Sequence, residues 1–132
     1  MNYLIDTNVI SEAMKRSPNP KANQCVADQE IIYMSVISVE EIYFGLAYKE
    51  APRQLEWFEK LLQVRGEVLP VTLSIAKRCG MLRGNFYKRG ITRTQADLLI
   101  AATAHEHNLI LSTRNTRDFV DCEIQLFNPF ED

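Results

Sequence analysis

The stretch Met1-Asn2-Tyr3-Leu4-Ile5-Asp6-Thr7-Asn8-Val9-Ile10 governs how the rest of the chain is read. A short apolar run, Tyr3–Ile5, stops at a carboxylate; two small polar residues follow, and apolar residues resume. A run this short and this apolar fits a strand buried on both faces, the kind found in parallel sheets covered by helices. In open parallel sheets, ligands bind outside the carboxyl ends of the strands. Asp6 therefore stands where such a fold does its chemistry, in a position that core building alone would not fill with a charge.

Working outward, further strands are expected at residues 31–34, 67–69, 109–111 and 123–126, each short and mostly apolar. Helical stretches lie between them. Val39, Ile42, Tyr43 and Leu46 share one helix face, and Leu55, Phe58, Glu59 and Leu62 form a mixed stripe within Pro52–Arg65. Residues 73–87 and Gln95–Glu106 read as two more helices. Strands alternating with helices predict an α/β fold with a parallel sheet covered on both sides. The longest breaks, Ser17-Pro18-Asn19-Pro20, Ala51-Pro52 and Lys88-Arg89-Gly90, are too short for linkers, and no repeat is present, so residues 1–132 read as one domain.

Composition narrows the class. Hydrophobic residues make up 46% of the 132, enough for a core and too many for a disordered chain. No apolar run approaches the ~18 residues of a membrane span, and the N-terminus lacks a signal-peptide pattern; a cytoplasmic protein without membrane contact is expected. Cys25, Cys79 and Cys122 are odd in number and scattered, which fits reduced core thiols better than a disulfide frame or a zinc site. The net charge is only −2, yet no acid occurs between Val68 and Ala96, where Lys77, Arg78, Arg83, Lys88, Arg89 and Arg93 cluster. A basic segment in an otherwise acidic chain either attracts a polyanion or is a solvated helix face.

Four carboxylates have unusual surroundings: Asp6, Glu41, Asp97 and Asp118. Three of them follow a capping residue by three positions, in Ser38-x-x-Glu41, Thr94-x-x-Asp97 and Asn115-x-x-Asp118. Each could thus be a helix-capping acid and nothing more. The helix around Asp97 is apolar nearly all round, however, and a buried charge has to be paired or bind a cation. Pattern alone leaves Glu40 and Glu41 undistinguished. Several such acids facing one crevice with Asp6 would repel one another unless a cation sat among them. Oxygen donors without His or Cys suit Mg²⁺ or Mn²⁺, and such sites hydrolyse phosphodiesters. The basic segment would then hold flanking phosphates. His105 and His107 make a His-x-His, but positions i and i+2 of a helix do not face each other, so a metal role is not expected of them.

Taken together, "YLIDTNVIS", "EIYFG" after "SVIS", "ADLLIAATA" and "LSTRNTRDF" resemble, in order and spacing, the PIN-domain family, and within it the VapC-like toxins of toxin–antitoxin pairs, including the FitB-like branch. The resemblance covers Met1 to about Phe127. It implies a three-layer α/β/α sandwich around a mainly parallel five-stranded sheet, and a ribonuclease that uses Mg²⁺ or Mn²⁺. Carried over residue by residue, it implies Asp6, Glu41, Asp97 and Asp118 as the catalytic acids, the Glu-Ile-x-x-Gly match selecting Glu41. Asp6, Asp97 and Asp118 would bind metal directly, and Glu41 through water or by orienting the attacking water. Thr7, Asn8, Thr113 and Asn115 match supporting polar positions. Arg93, Arg89 and Lys88 are expected to contact RNA, Arg93 foremost. The resemblance also implies a homodimer clasped by a VapB-like antitoxin, against which Trp57, Phe58 and Leu62 would pack if they are not simply core. An aspartyl phosphatase is disfavoured because Asn8 stands where its general acid would be, and a receiver domain because no Asp follows the third strand and no Lys follows Lys88. A PIN fold that only binds RNA or a partner is the remaining alternative.

Overall fold

The computed structural model describes residues 2–131. Strands β1 (Tyr3–Ile5), β2 (Ile32–Ser35), β3 (Gly66–Leu69), β4 (Ile110–Ser112) and β5 (Leu126–Phe127) form one parallel sheet in the order β3-β2-β1-β4-β5. Leu4, at the centre, lies opposite Tyr33 on one side and Leu111 on the other. The helices are α1 (Thr7–Ala13), α2 (Pro20–Ala27), α3 (Val36–Lys49), α4 (Pro52–Arg65), α5 (Leu73–Lys88) and α6 (Gln95–Glu106), with a 3₁₀ turn at Thr116–Phe119.

The strands' alternation divides the core in two. Ile5, Ile32 and Met34 face α1–α4, packing with Val9, Ile10, Val26, Ile42, Leu46 and Phe58. Leu4 and Leu111 face α5 and α6, packing with Ile75, Phe86, Leu98 and Ala101. This is the expected α/β/α sandwich. The chain steps from β1 outward to β2 and β3, then crosses back to place β4 on β1's other flank. The strand order therefore reverses between β1 and β4, and a crevice opens at their carboxyl ends.

Most expected elements form, with differences that have local causes. Helices α4 and α6 have the expected limits, whereas β2 and β4 each run one residue later than expected. The last strand was expected at 123–126 and is confined to Leu126–Phe127, because Asp121 (φ 66°) and Glu123 (φ 60°) adopt left-handed backbone and turn the chain first. Helices α1 and α2 were not anticipated. The break Ser17-Pro18-Asn19-Pro20 is in fact the start of α2: Asn19 Oδ1 accepts from the N–H groups of Lys21 and Ala22, and Pro20 occupies the first turn, where its missing N–H costs nothing. Gly66 joins α4 to β3 so closely that a Cβ would lie 2.7 Å from Leu62 Cα. Phe58 is fully buried and belongs to the core, while Trp57 and Leu62 pack partly buried against it. Cys79 and Cys122 are buried free thiols and Cys25 is half-buried. No helix among the described residues is long and apolar enough to cross a membrane.

Candidate active site

Asp6 sits at the β1–β4 crevice and is 5% exposed. Its N–H extends the sheet ladder to Ser112 O (3.0 Å). Its side chain caps α1, Oδ1 accepting from Thr7 N–H at 2.8 Å. Oδ2 accepts from Thr113 Oγ1 at 2.7 Å and from Asn8 Nδ2 at 3.2 Å. Burial nonetheless raises the carboxyl from the usual 3.8 to about 6; the Thr113 and Thr7 hydrogen bonds oppose that rise, and the charges of Asp97 and Glu41 add to it.

The polar residues around Asp6 tie three chain segments together. Asn8 also donates to Thr113 Oγ1 (3.2 Å), and its Oδ1 accepts from Arg114 N–H (3.0 Å). Thr113 Oγ1 accepts in turn from Asn115 N–H (3.1 Å). Thr7 Oγ1 donates to Glu41 Oε1 at 2.7 Å, linking the start of α1 to α3. That bond separates the two neighbouring glutamates: Glu41 is half-buried and faces the crevice, and Glu40 is exposed.

Glu41 does not occupy a capping position. Helix α3 begins earlier, with Ser35 Oγ accepting from Ile37 N–H (3.1 Å), so Ser38 is a buried residue inside the helix and Glu41 projects from its second turn. The expectation that Ser38 caps this helix is thus corrected; the true start coincides with the end of β2. Asp97, by contrast, does follow its cap: Thr94 Oγ1 accepts from Asp97 N–H at 3.1 Å. Burial raises the Asp97 carboxyl, Thr94 and the Arg93 charge lower it, and the Asp118 charge raises it further. At the 3₁₀ turn, the Asn115 side chain makes no capping bond; Asp118 N–H instead meets Asn115 O at 3.0 Å.

Asp6, Thr7, Asn8, Glu41, Asp97 and Asn115 line one cleft of about 410 Å³. Asp118 is exposed and lines an adjoining recess that shares Arg114 and Asn115 with the cleft. Three of the four expected acids are therefore brought together, and the fourth stands beside them, close enough to act on Asp97. Lys88, Arg89 and Arg93 do not line this cleft. Arg89 pairs with Asp121 (3.1 Å), and Arg89 and Arg93 lie over the ring of buried Phe86, at 5.6 and 5.3 Å from its centre. His105 falls in the last turn of α6 and His107 ends it. A larger hollow of about 830 Å³ lies at the opposite, amino ends of the strands, beside His105 and Ile110.

Ser11, Glu12, Lys15 and Arg114 also line the cleft and were not singled out from sequence. A signal for them existed: Asn8, Ser11, Glu12 and Lys15 fall at i, i+3, i+4 and i+7, a polar helical stripe directly after Asp6. The donors the cleft offers are carboxylate oxygens. Among the described residues, no three His, Cys, Asp or Glu side chains converge tightly enough to enclose one ion by direct bonds alone. A cation that keeps part of its water shell, as Mg²⁺ does, fits this spacing.

Comparison with known proteins agrees with this architecture. The family model for the PIN domain matches residues 3–123. VapC ribonuclease Y4jK of Sinorhizobium fredii is 33% identical, the match covering 97% of each chain. Toxin FitB of Neisseria gonorrhoeae is 32% identical over 98% of this chain and 99% of its own. The crystal structure of FitAcB from that organism superposes with a TM-score of 0.85 at 31% identity, covering 98% of this chain and 99% of the other. A toxin–antitoxin complex from Klebsiella pneumoniae superposes with a TM-score of 0.77 at 26% identity over the whole of both chains. The chain described here belongs to the PIN-domain family.

Proposed function

We propose that this protein is a Mg²⁺- or Mn²⁺-dependent endoribonuclease and the toxin half of a toxin–antitoxin pair, held in check by an antitoxin that covers the cleft. The observation that carries the reading is Asp6: a 5%-exposed carboxylate at the strand-order reversal, facing Glu41 and Asp97 and pushed up to about 6. Such a site is short of positive charge. The names of the relatives, a ribonuclease and a toxin, supply the substrate class and the setting.

Asp6 and Asp97 would hold the cation on the crevice side, with Asp118 reaching it from the adjoining recess. When bound, a divalent cation there supplies charge neutralisation for the attack of water on a phosphodiester. Thr113 and Asn8 keep the Asp6 carboxylate fixed and bias it toward the ionised form. Thr7 fixes Glu41 through Oε1, leaving Oε2 free among the described residues to accept a hydrogen bond from the attacking water and hold it in line. Products with a 5′-phosphate and a 3′-hydroxyl follow from that direction of attack. A homodimer is part of the same proposal.

The test is cleavage of end-labelled small RNA by the purified, partner-free chain with Mn²⁺, with EDTA, and with the Asp97→Asn variant. Metal-dependent cuts lost in the folded variant are expected. Cutting by Asp97→Asn at the parent rate would refute the site; no cutting by a folded parent under any condition would leave a binding-only PIN fold.

A further inference from the structure

The cleft that would take RNA is strongly acidic. Asp6, Glu12, Glu41 and Asp97 all line it, and an entering phosphodiester adds more negative charge. Two cations line the same cleft, Lys15 and Arg114, and both are held in place. Lys15 follows the last turn of α1. Its Nζ donates to Glu12 Oε1 at 2.9 Å, while Glu12 Oε2 accepts from Asn19 N–H at 2.8 Å. Glu12, whose side chain is 8% exposed, is thereby pinned at both oxygens, while Lys15 stays 58% exposed with ammonium donors to spare.

Arg114 is anchored through its backbone. Its N–H donates to Asn8 Oδ1 at 3.0 Å and its carbonyl accepts from Asn128 Nδ2 at 3.4 Å. The guanidinium lies over Phe130, its Cζ 3.9 Å from the ring centre, and donates to no protein group among the described residues. A stacked arginine keeps its N–H edge free for a planar, bidentate anion such as a phosphate. The cations of the basic segment are placed otherwise: Arg89 and Arg93 lie over Phe86 and do not line the cleft.

We propose that Lys15 and Arg114 grip backbone phosphates of the RNA strand seated in the cleft, setting which bond reaches the acids. The inference rests on the ribonuclease reading of the cleft. Both side chains contact backbone and not bases, so they contribute affinity and register without sequence preference.

The experiment measures anisotropy of a labelled, mixed-sequence single-stranded RNA of twelve nucleotides in Mg²⁺ across a salt series. The Asp97→Asn chain is the parent, so that the strand stays whole. Removing one phosphate contact flattens the slope of log affinity against log salt by about 0.7, which is about fivefold in affinity at 0.1 M relative to 1 M salt. Lys15→Ala and Arg114→Ala should each show that change, Lys15→Arg should restore the slope, and parental circular dichroism spectra should confirm folding. In the active chain, Lys15→Ala should raise KM more than it lowers kcat and should spread the cuts over neighbouring bonds. If the parent binds and the active chain cuts while both alanine variants keep the parental slope, this inference is overturned and the ribonuclease reading survives. If the parent binds no RNA and the active chain cuts none, both fall.

Discussion

Replacing Asp6 by Asn should make the metal-free protein more stable at neutral pH while abolishing cleavage. The folded carboxyl titrates near 6 against 3.8 for the free group. As pH rises, the unfolded chain therefore loses this proton first. The contribution is complete below about 4, falls between about 4 and 6, and leaves at pH 7 a cost of about 3 kcal/mol, because each unit of difference corresponds to about 1.36 kcal/mol. Asparagine carries no charge and can still cap α1 by accepting from Thr7 N–H. Its amide, however, would meet the hydroxyl of Thr113 and the amide of Asn8, losing hydrogen bonding worth about 1 kcal/mol. The net expectation is a gain of about 2 kcal/mol, or about 8 °C in melting temperature for a chain of this size. Urea unfolding in EDTA at pH 4 and pH 7 measures it: the variant should exceed the parent at pH 7 and match or trail it at pH 4. A variant less stable than the parent at pH 7, or a parent whose stability does not fall between pH 4 and 6, would refute the reasoning.

Millimolar Mg²⁺ should raise the parent's unfolding midpoint, by about 2.7 kcal/mol when free metal reaches a hundred times its Kd, and Asp6→Asn should lose most of that response; a midpoint indifferent to Mg²⁺ would remove the cation from the site. Thr113→Val keeps the shape but leaves Asp6 Oδ2, Asn8 and the Asn115 N–H without their shared hydroxyl, so stability at pH 7 should fall by about 2 kcal/mol and the acidic limb of the pH–activity profile should move to higher pH. Phe58→Ala empties a fully buried site whose ring meets Tyr43 edge-on at 5.8 Å; a loss of about 3–5 kcal/mol is expected from denaturant unfolding, with kcat unchanged in the folded fraction.

The sheet and its long helices were legible because burial on both faces writes itself as short apolar runs, because α4 carries a partly apolar stripe, and because α6 is apolar over most of its surface. Helices α1 and α2 were hidden for opposite reasons. The first is seven residues long and is started by an acid whose other role drew the eye. The second is announced by Asn19-Pro20, a sequence that marks a helix start as readily as a break. In the site, Asp6 and Asp97 stood out by residue type and surroundings, whereas Glu41 was separated from Glu40 only by the family resemblance. Thr94 does cap the helix that carries Asp97, whereas Ser38 lies inside a helix that continues straight from β2. Lys15 was signalled only by a polar stripe after Asp6, and Arg114 was out of reach because its placement depends on the Asn8 and Phe130 contacts made across the fold. Arg89 and Arg93 occur in a charge run and are turned toward Phe86, whereas Arg114 stands outside that run and faces the cleft.

The hydrogen bond from Thr113 to Asp6 spans 107 positions of sequence, and β4 must slot beside β1 before it can form. The first three strands and their helices carry Asp6, Glu12 and Glu41, but neither Asp97 nor Thr113. Asp97 and the Thr113 clasp arrive late, and without β4 the ladder that positions Asp6 has no partner. The residues that complete the cleft are thus among the last to be made, and a chain cut short before α6 lacks Asp97, the Thr113 clasp and the β4 ladder together.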